Sequence, residues 1–481
     1  MATKRVTLAE GDGIGPEISP VVVAILEAAG ADIEFERIDV GERVYLAGQT
    51  SGIAPETWET LRRNKVLLKG PITTPQGGGY KSLNVTIRKT LGLYANVRPC
   101  VSYHPVIQTR HPKMDLVIVR ENEEDLYAGI EHQQTRQVVQ CLKLISQPGS
   151  ERIIRYAFEY ARRNNREKVA CFVKDNIMKL TDGLFHRIFN EVDLEYPEIP
   201  GSHWIVDIGA ARLADTPEIF DVIVLPNLYG DIMSDIAAQI TGSVGLGGSA
   251  NIGDECSMFE AIHGSAPTIA GQDIANPSGM LLGAVMMLTH IGQPDVATRV
   301  HNAWLKTLED GVHTLDIYRD GTSKQRVGTQ AFGKAVIERL GERPTILTPV
   351  DYGAGAQAIQ TDSTHPAPPR SVKETVGIDV FLDWEDGLPA DLGAALEPCA
   401  GEDFTLKMIT NRGVKVWPDG YPETFCTDHW RCRFMAANGV TDHDRIVKLL
   451  GRIGAAGFDF IKTEHLCTFD GVPGYSKGQG E

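Results

Sequence analysis

The chain has 481 residues, 42% hydrophobic and 23% charged, which is more than one hydrophobic core usually organises, so two or three domains are expected. Its formal net charge of −16 repels phosphate backbones and argues against nucleic-acid binding. The same excess opposes an anionic substrate, so a site for one must gather its own cations.

A strand is expected at Val6–Glu10, leading through Gly11-Asp12-Gly13-Ile14-Gly15 into a helix from Pro16 to about Ala29. The dinucleotide fingerprint G-x-G-x-x-G needs a third glycine where Pro16 stands. A tight turn lining some other nucleotide or substrate cleft is therefore the better reading. No apolar secretory segment is visible near Met1. The longest apolar run, Gly279–Leu288, is too short to span a bilayer and reads as a buried helix. Eight scattered cysteines without a C-x-x-C pair read as reduced thiols in a cytoplasmic setting.

Further strands are expected at Val66–Lys69, Leu116–Arg120, Val169–Val173, Trp204–Asp207 and Val222–Leu225, several leading directly into a helix. That alternation predicts α/β layers around a largely parallel sheet. Chemistry-bearing residues cluster between these elements. Lys69, Thr73 and Thr74 precede a Gly-rich loop that opens a helix carrying Ser82, Asn84 and Arg88, and Arg98 and Arg120 follow. Three arginines with Ser and Asn suit a di- or tricarboxylate, because guanidinium binds carboxylate through a bidentate fork. Tyr127 and Lys174 could move protons once burial or a nearby cation adjusts them. After the strand Val222–Leu225, Asp231 and Asp235 are spaced i, i+4 on one helix face. Two adjacent carboxylates suit Mg²⁺ or Mn²⁺, although acids near a helix start also serve its dipole.

The pattern changes near residue 345, where a Pro-, Gly-, Ser- and Thr-rich stretch reads as a linker. Beyond it, strands at 376–384, 404–411, 430–438 and 458–462 alternate with helices at 389–396 and 442–456. The order β-α-β-β-α-β predicts a small ferredoxin-like domain. It carries no catalytic constellation and reads as an assembly or regulatory module.

The motifs GDGIGPEI, RENEEDLYAGIE, KDNIMK, NLYGDIMSD and EAIHGSAP, in this order across about residues 4–340, resemble the β-decarboxylating dehydrogenases. That family acts on isocitrate, 3-isopropylmalate, homoisocitrate and tartrate. The resemblance implies a non-Rossmann isocitrate/isopropylmalate dehydrogenase fold. Its large cofactor-binding domain would comprise 1–93 and 242–345, and its small domain 94–241, with a dimer clasp at about 125–146. The linker would be 346–373 and the C-terminal α+β domain 374–481. The segment KSLNVTIRK resembles isocitrate enzymes, and the last domain resembles the extension of longer bacterial forms.

By the same resemblance, Thr74, Ser82, Asn84, Arg88, Arg98, Arg120 and Asn176 bind isocitrate. Asp231 and Asp235 hold Mg²⁺ or Mn²⁺ with Asp207 of the partner subunit. Lys174 reaches across a homodimer, while Tyr127 serves its own protomer's site. The cofactor pocket would use Lys69, Thr73, Glu260, His263, Gly264, Ser265, Ala266, Thr268, Ile269, Asn276 and Asp316. NADP-dependent relatives carry Lys-Tyr after Ala266-Pro267, where this chain has Thr268-Ile269. Leu315 also replaces a phosphate-binding Tyr, so NAD is the expected cofactor, with Arg319 keeping NADP open as the alternative. Ser243 and Gly248 depart from the family's G-G-x-G-x-x-P-S pattern, which predicts a looser loop there. The implied reaction is oxidation and decarboxylation of isocitrate. Two alternatives remain, a neighbouring substrate of the family or a non-catalytic regulatory subunit.

Overall fold

The computed structural model describes residues 3–49, 51–74, 82–353 and 370–478. The Gly-rich stretch 75–81 and linker residues 354–369 lie outside the described residues. The chain divides into two compact units, one of Met1–Ala128 with Leu144–Ser363, the other of Gly129–Lys143 with Thr364–Glu481.

The first unit is built on a ten-stranded mixed sheet. Lys4–Ala9 pairs in parallel with Ile33–Ile38 on one side and Val66–Lys69 on the other. Ser257–Ala261 continues that parallel half. The direction then alternates through Gly248–Ile252, Ala95–Val101 and Asp115–Glu121, which pair antiparallel. Parallel pairing resumes through Val222–Leu225, Val169–Val173 and Gly201–Ile205. One half of the sheet thus comes from residues 1–93 and 242–345, the other from 94–241. The sheet is largely parallel, as expected, but its centre is antiparallel; of the strands there, Asp115–Glu121 is expected from the sequence while Ala95–Val101 and Gly248–Ile252 are not. Ala95–Val101 carries Asn96 and Arg98, and Gly248–Ile252 carries Ser249 and Asn251, all buried polar residues.

Fully buried strands read as near-continuous apolar runs, and Val169–Val173 and Val222–Leu225 are buried throughout. The apolar run expected to be a buried helix is one, Ser278–His290, with ten buried residues. Fully buried Trp304 packs in the same core and donates its indole N–H to Ser278 Oγ at 2.8 Å. The expected strand Trp204–Asp207 ends at Ile205, and Asp207 stands in the first turn of the helix Val206–Asp215. A short apolar run cannot distinguish strand from helix by periodicity. Gly209 settles the packing, since a Cβ there would meet the Phe172 ring at 2.7 Å.

The second unit has a six-stranded antiparallel sheet. Its four central strands, Phe404–Asn411, His429–Ala436, Lys373–Asp383 and Asp459–Phe469, lie side by side in that order, the ferredoxin-like arrangement. Helices Pro389–Ala400 and His443–Ala455 bury Leu392, Leu396, Ile446, Leu449 and Ile453 in its core. Asp379 and Arg433 form a buried two-point pair at 2.8 and 2.9 Å.

The compact units cut the chain differently from the expected domain limits. The hairpin of Glu131–Gln133 and Val139–Cys141, expected in the small domain, belongs to the second unit. There Thr135 donates to Asp428 at 2.5 Å and Lys462 to Gln140 at 3.1 Å. The first residues of the expected linker belong to the first unit. Glu309 caps Thr345, Ile346 and Leu347 through their backbone N–H groups, and Asn302 is bonded to both polar atoms of the Val350 backbone. All eight cysteines are free. No helix among the described residues is long and apolar enough to cross a membrane.

Candidate active site

A cavity of about 190 Å³ opens at the centre of the sheet, and Lys69, Ser82, Asn84, Arg88, Arg98, Arg120, Tyr127, Asp231, Glu260, His263 and Gly264 are among its lining residues. Arg98 and Arg120 come from adjacent antiparallel strands, and Asp231 from the helix Asn227–Ile240 that follows strand Val222–Leu225. The helix Leu83–Thr90 brings Asn84 and Arg88, with Ser82 at its N-cap. Gly230 lets that neighbouring helix approach closely, since a Cβ would lie 2.5 Å from Arg120 Cγ.

The three guanidinium groups are almost wholly buried, at 8%, 4% and 1% exposure for Arg88, Arg98 and Arg120. Each is fixed by a specific acceptor. Arg88 donates to Glu260 at 2.9 Å, and Arg98 to Asn96 at 2.7 Å and Ser234 at 2.5 Å. Arg120 binds Asn227 Oδ1 at 2.7 Å and pairs with Asp231. With Lys69, four cations face the three carboxylates Asp231, Asp235 and Glu260. Burial, together with the charges of Arg98 and Arg88, pulls the Arg120 pKa down to about 10. The cluster is short of negative charge, and an anionic ligand supplies it.

Lys69 and Glu260, expected to meet the cofactor, pair with each other at 2.7 Å with almost no exposure and line the cavity. Burial opposes ionisation of Glu260, but Lys69 and Arg88 outweigh it and hold the carboxyl well below the usual range. Their contribution here is to aim Arg88.

Asp231 and Asp235 share a helix face, as the i, i+4 spacing predicts. Burial raises Asp231, yet Arg120 and Arg98 overcome it and keep it below the usual carboxylate range. Burial lifts Asp235 above that range, with the neighbouring Asp231 adding to it. Hard oxygen donors with one member disfavoured as an anion fit a divalent cation. Asp207 is not part of this group. It pairs with Lys174 Nζ at 2.6 Å, and neither residue, nor exposed Asn176, lines the cavity. Lys174 is also tethered by its backbone N–H to Asp182 at 2.7 Å.

Thr73 and Ser265 hydroxyls meet at 2.8 Å, tying the strand Val66–Lys69 side to the His263–Ala266 loop. Thr74 lies 3.3 Å from Ser82 Oγ. His263 Nδ1 faces Gly264 O at 3.0 Å, while Nε2 is buried without a hydrogen bond among the described residues. Asn276 donates to Asp316 at 3.0 Å. Thr268 is exposed and Ile269 and Ala266 half-buried. The looser loop expected at Ser243 and Gly248 is not found. Ser243 donates to Asp316 at 2.6 Å and caps Gly245, while a Cβ at Gly248 would strike the backbone of Gly283 at 2.7 Å.

Sequence reasoning missed the residues that hold the arginines in place. Asn96, Asn122, Asn251 and Ser249 form a buried amide network beneath Arg98 and Glu260. Their signal was polar residues inside strands, which an alternating pattern does not flag. Asn227 and Ser234 stood within a recognised motif, beside residues with more obvious chemistry.

The chain belongs to the isocitrate/isopropylmalate dehydrogenase family, whose family model matches residues 5–336. Residues 373–481 match the C-terminal domain of bacterial isocitrate dehydrogenases. The chain is 55% identical to the isocitrate dehydrogenase of Rickettsia bellii over 99% of both chains. It is 45% identical to that of Thermus thermophilus over 99% of this chain and 96% of the relative. Both relatives are named NADP enzymes. A solved structure of a Thermus thermophilus protein has a TM-score of 0.91 and 44% identity over 99% of this chain and 96% of that one. The isocitrate dehydrogenase structure from Methylococcus capsulatus has a TM-score of 0.67 and 43% identity, covering 70% of this chain and 99% of its own.

These relatives overturn the expectation of NAD. Thr268-Ile269 and Leu315 lack one constellation of phosphate ligands, but that constellation is not the only one that can serve. A 2′-phosphate needs a cation, not a particular one, and exposed Arg319 lies three residues from Asp316.

Proposed function

We propose that this protein oxidises isocitrate to 2-oxoglutarate and CO₂ while reducing NADP, as a cytoplasmic, divalent-metal-dependent homodimer. The observation that carries the reading is the buried Arg88–Arg98–Arg120 cluster facing Asp231, with Ser82 and Asn84 lining the same cavity. Four cations against three carboxylates leave one positive charge, and a divalent cation raises the excess to three, the charge of a tricarboxylate. Asn84 Oδ1 is buried without a hydrogen-bond partner among the described residues and can accept from the substrate's hydroxyl.

Asp231 and Asp235 would hold the cation with Asp207 of the partner subunit. When bound, the cation supplies Lewis-acid polarisation of the 2-hydroxyl, and NADP supplies the hydride acceptor. Arg88, Arg98 and Arg120 bind and orient the carboxylates, so that the C2–H bond faces the nucleotide. Lys174, released from its pair with Asp207 and having given up its own proton to solvent, would take the 2-hydroxyl proton as hydride leaves C2. Cleavage of the bond from C3 to its carboxylate releases CO₂ and leaves an electron pair at C3. Tyr127 then delivers a proton to C3. Burial, against the pull of Arg120, raises its pKa to about 12 and keeps the phenol protonated at neutral pH.

The separation of Lys174–Asp207 from the cavity supports a shared site in a dimer. Ile177, Leu180 and Ile208, close to these residues in sequence, and Ile232, next to Asp231, are exposed apolar side chains of the kind a partner subunit covers. Initial rates with isocitrate and Mn²⁺, comparing NADP with NAD and including an EDTA control, test the proposal. Chelator-sensitive reduction of NADP well above NAD is expected. Absence of turnover with isocitrate but activity with isopropylmalate would sink the substrate assignment.

A further inference from the structure

A second set of metal-type ligands lies beside Lys174. Asp175 follows strand Val169–Val173, His186 is on helix Thr181–Asp193, and His203 is on edge strand Gly201–Ile205. His186 Nδ1 is 2.7 Å from Asp175 Oδ2, and His203 Nε2 is 3.4 Å from Oδ1. The imidazole rings stack with centroids 3.6 Å apart and planes at 15°. One ligand atom from each residue lies within 4.8 Å of the other two, the only such group of three among the described residues. His203 Nε2 is buried and has no partner among the described residues beyond this approach to Asp175.

A lone surface ion pair does not require this arrangement. Two imidazoles stacked in van der Waals contact cannot both be protonated without strong like-charge repulsion. At least one therefore keeps a lone pair, and both converge on a single carboxylate. We propose that Asp175, His186 and His203 form a site for a transition metal ion of the Zn²⁺ class. It is separate from the oxygen-ligated cation site of Asp231 and Asp235. Two imidazoles and a carboxylate select Zn²⁺, Co²⁺ or Ni²⁺ over Mg²⁺, which prefers oxygen donors. All three residues are half-buried, which leaves a fourth position for water.

Tetrahedral ligands at about 2.0–2.1 Å from zinc stand roughly 3.3 Å apart. The 2.7 Å approach of His186 to Asp175 must open slightly and the stacked rings fan apart when the ion enters, while His203 and Asp175 already stand at 3.4 Å. The bound ion would staple the strand end, the helix and the edge strand together. It would thereby hold the Lys174–Asn176 turn, giving the site a route to influence the active site without touching substrate.

Binding to the full chain tests this independently of turnover. Chelator-stripped protein is dialysed against Zn²⁺ in a large excess of Mg²⁺, and bound zinc is measured by elemental analysis. One zinc per chain is expected for the native protein and for the Asp231→Asn/Asp235→Asn variant. In His186→Ala/His203→Ala, affinity should fall by about 100-fold or more. Should that variant fold poorly by circular dichroism, the more conservative Asp175→Asn serves instead, with the same loss expected. A Zn²⁺-dependent rise in the native melting temperature that is absent in the variant gives a second readout. Native protein that retains no zinc, or variants that bind it unchanged, would overturn the proposal.

Discussion

The hydroxyl of Tyr127 donates to Oδ2 of Asp231 across 2.5 Å, while Arg120 holds the other carboxylate oxygen. A proton donor, a metal-type carboxylate and a substrate-type cation thus share one hydrogen-bonded unit. Tyr127→Phe keeps the ring over which Arg120 lies, its guanidinium carbon 4.9 Å from the ring centroid, and removes only the donor. Overall kcat should fall by about 10²–10⁴, the usual worth of a positioned acid. Reduction of the oxidised 2-oxo intermediate by NADPH should fall much less. Equal loss in both half-reactions would show that Tyr127 is not the proton donor at C3.

Glu260 neutralises Lys69 and Arg88 from a fully enclosed position. Glu260→Ala leaves both cations buried without that anion, which typically costs about 3–5 kcal/mol. The urea midpoint should drop with little change in slope. An unchanged midpoint would mean that water enters and solvates the cations.

Acid stability has a second identifiable source at Glu309. Burial opposes its charge, but N–H donors from Ile346 and Thr345, the Thr345 hydroxyl and Lys306 prevail, and its pKa falls to about 2. A folded-state value below the unfolded one contributes stability above about pH 4.3, lost as pH falls towards 2. Glu309→Gln should therefore lower the urea midpoint at pH 7 and leave a smaller difference from the parent near pH 3. A constant difference at both pH values would assign the effect to lost packing.

Ser82 and Asn84 line the arginine cavity. Ser82→Leu replaces a hydroxyl by an apolar side chain. It should lower kcat/KM for isocitrate by about 10–100-fold, since a site loses a charged ligand's hydrogen bond worth about 1.5–3 kcal/mol. Rates with isopropylmalate should fall less. Equal losses on both substrates would point to a general disturbance of the helix Leu83–Thr90.

Arg319 projects from the turn after Asp316, its guanidinium contacting only the carbonyls of Asp316 and Tyr318 among the hydrogen bonds it makes as a side-chain donor. It is the first candidate for the 2′-phosphate. Arg319→Ala should reduce kcat/KM for NADP by about 10–100-fold and leave NAD nearly unchanged. A parallel fall with both nucleotides would assign Arg319 to the fold of the turn.

The chain's own chemistry made much of this legible in advance. Continuous apolar runs marked Val169–Val173 and Val222–Leu225, because strands buried on both faces need no polar alternation. The i, i+4 spacing put Asp231 and Asp235 on one face, and the β-α-β-β-α-β order of the last unit predicted its strand arrangement. These are local properties, set by backbone periodicity within one element. What neighbours decide was not legible. Lys69 and Glu260 are far apart in sequence yet 2.7 Å apart in space, so their mutual neutralisation could not be read from either motif. The antiparallel centre of the sheet is held by Asn96, Asn251 and Ser249, whose buried polar groups are satisfied by one another and by Arg98, Asn122 and Glu260. The hairpin at Glu131–Cys141 joins the second unit through Thr135 and Asp428, a choice made by side-chain partners 293 residues apart. The tertiary structure decided these pairings because burying a charge or an amide is tolerable only where a distant segment supplies its partner.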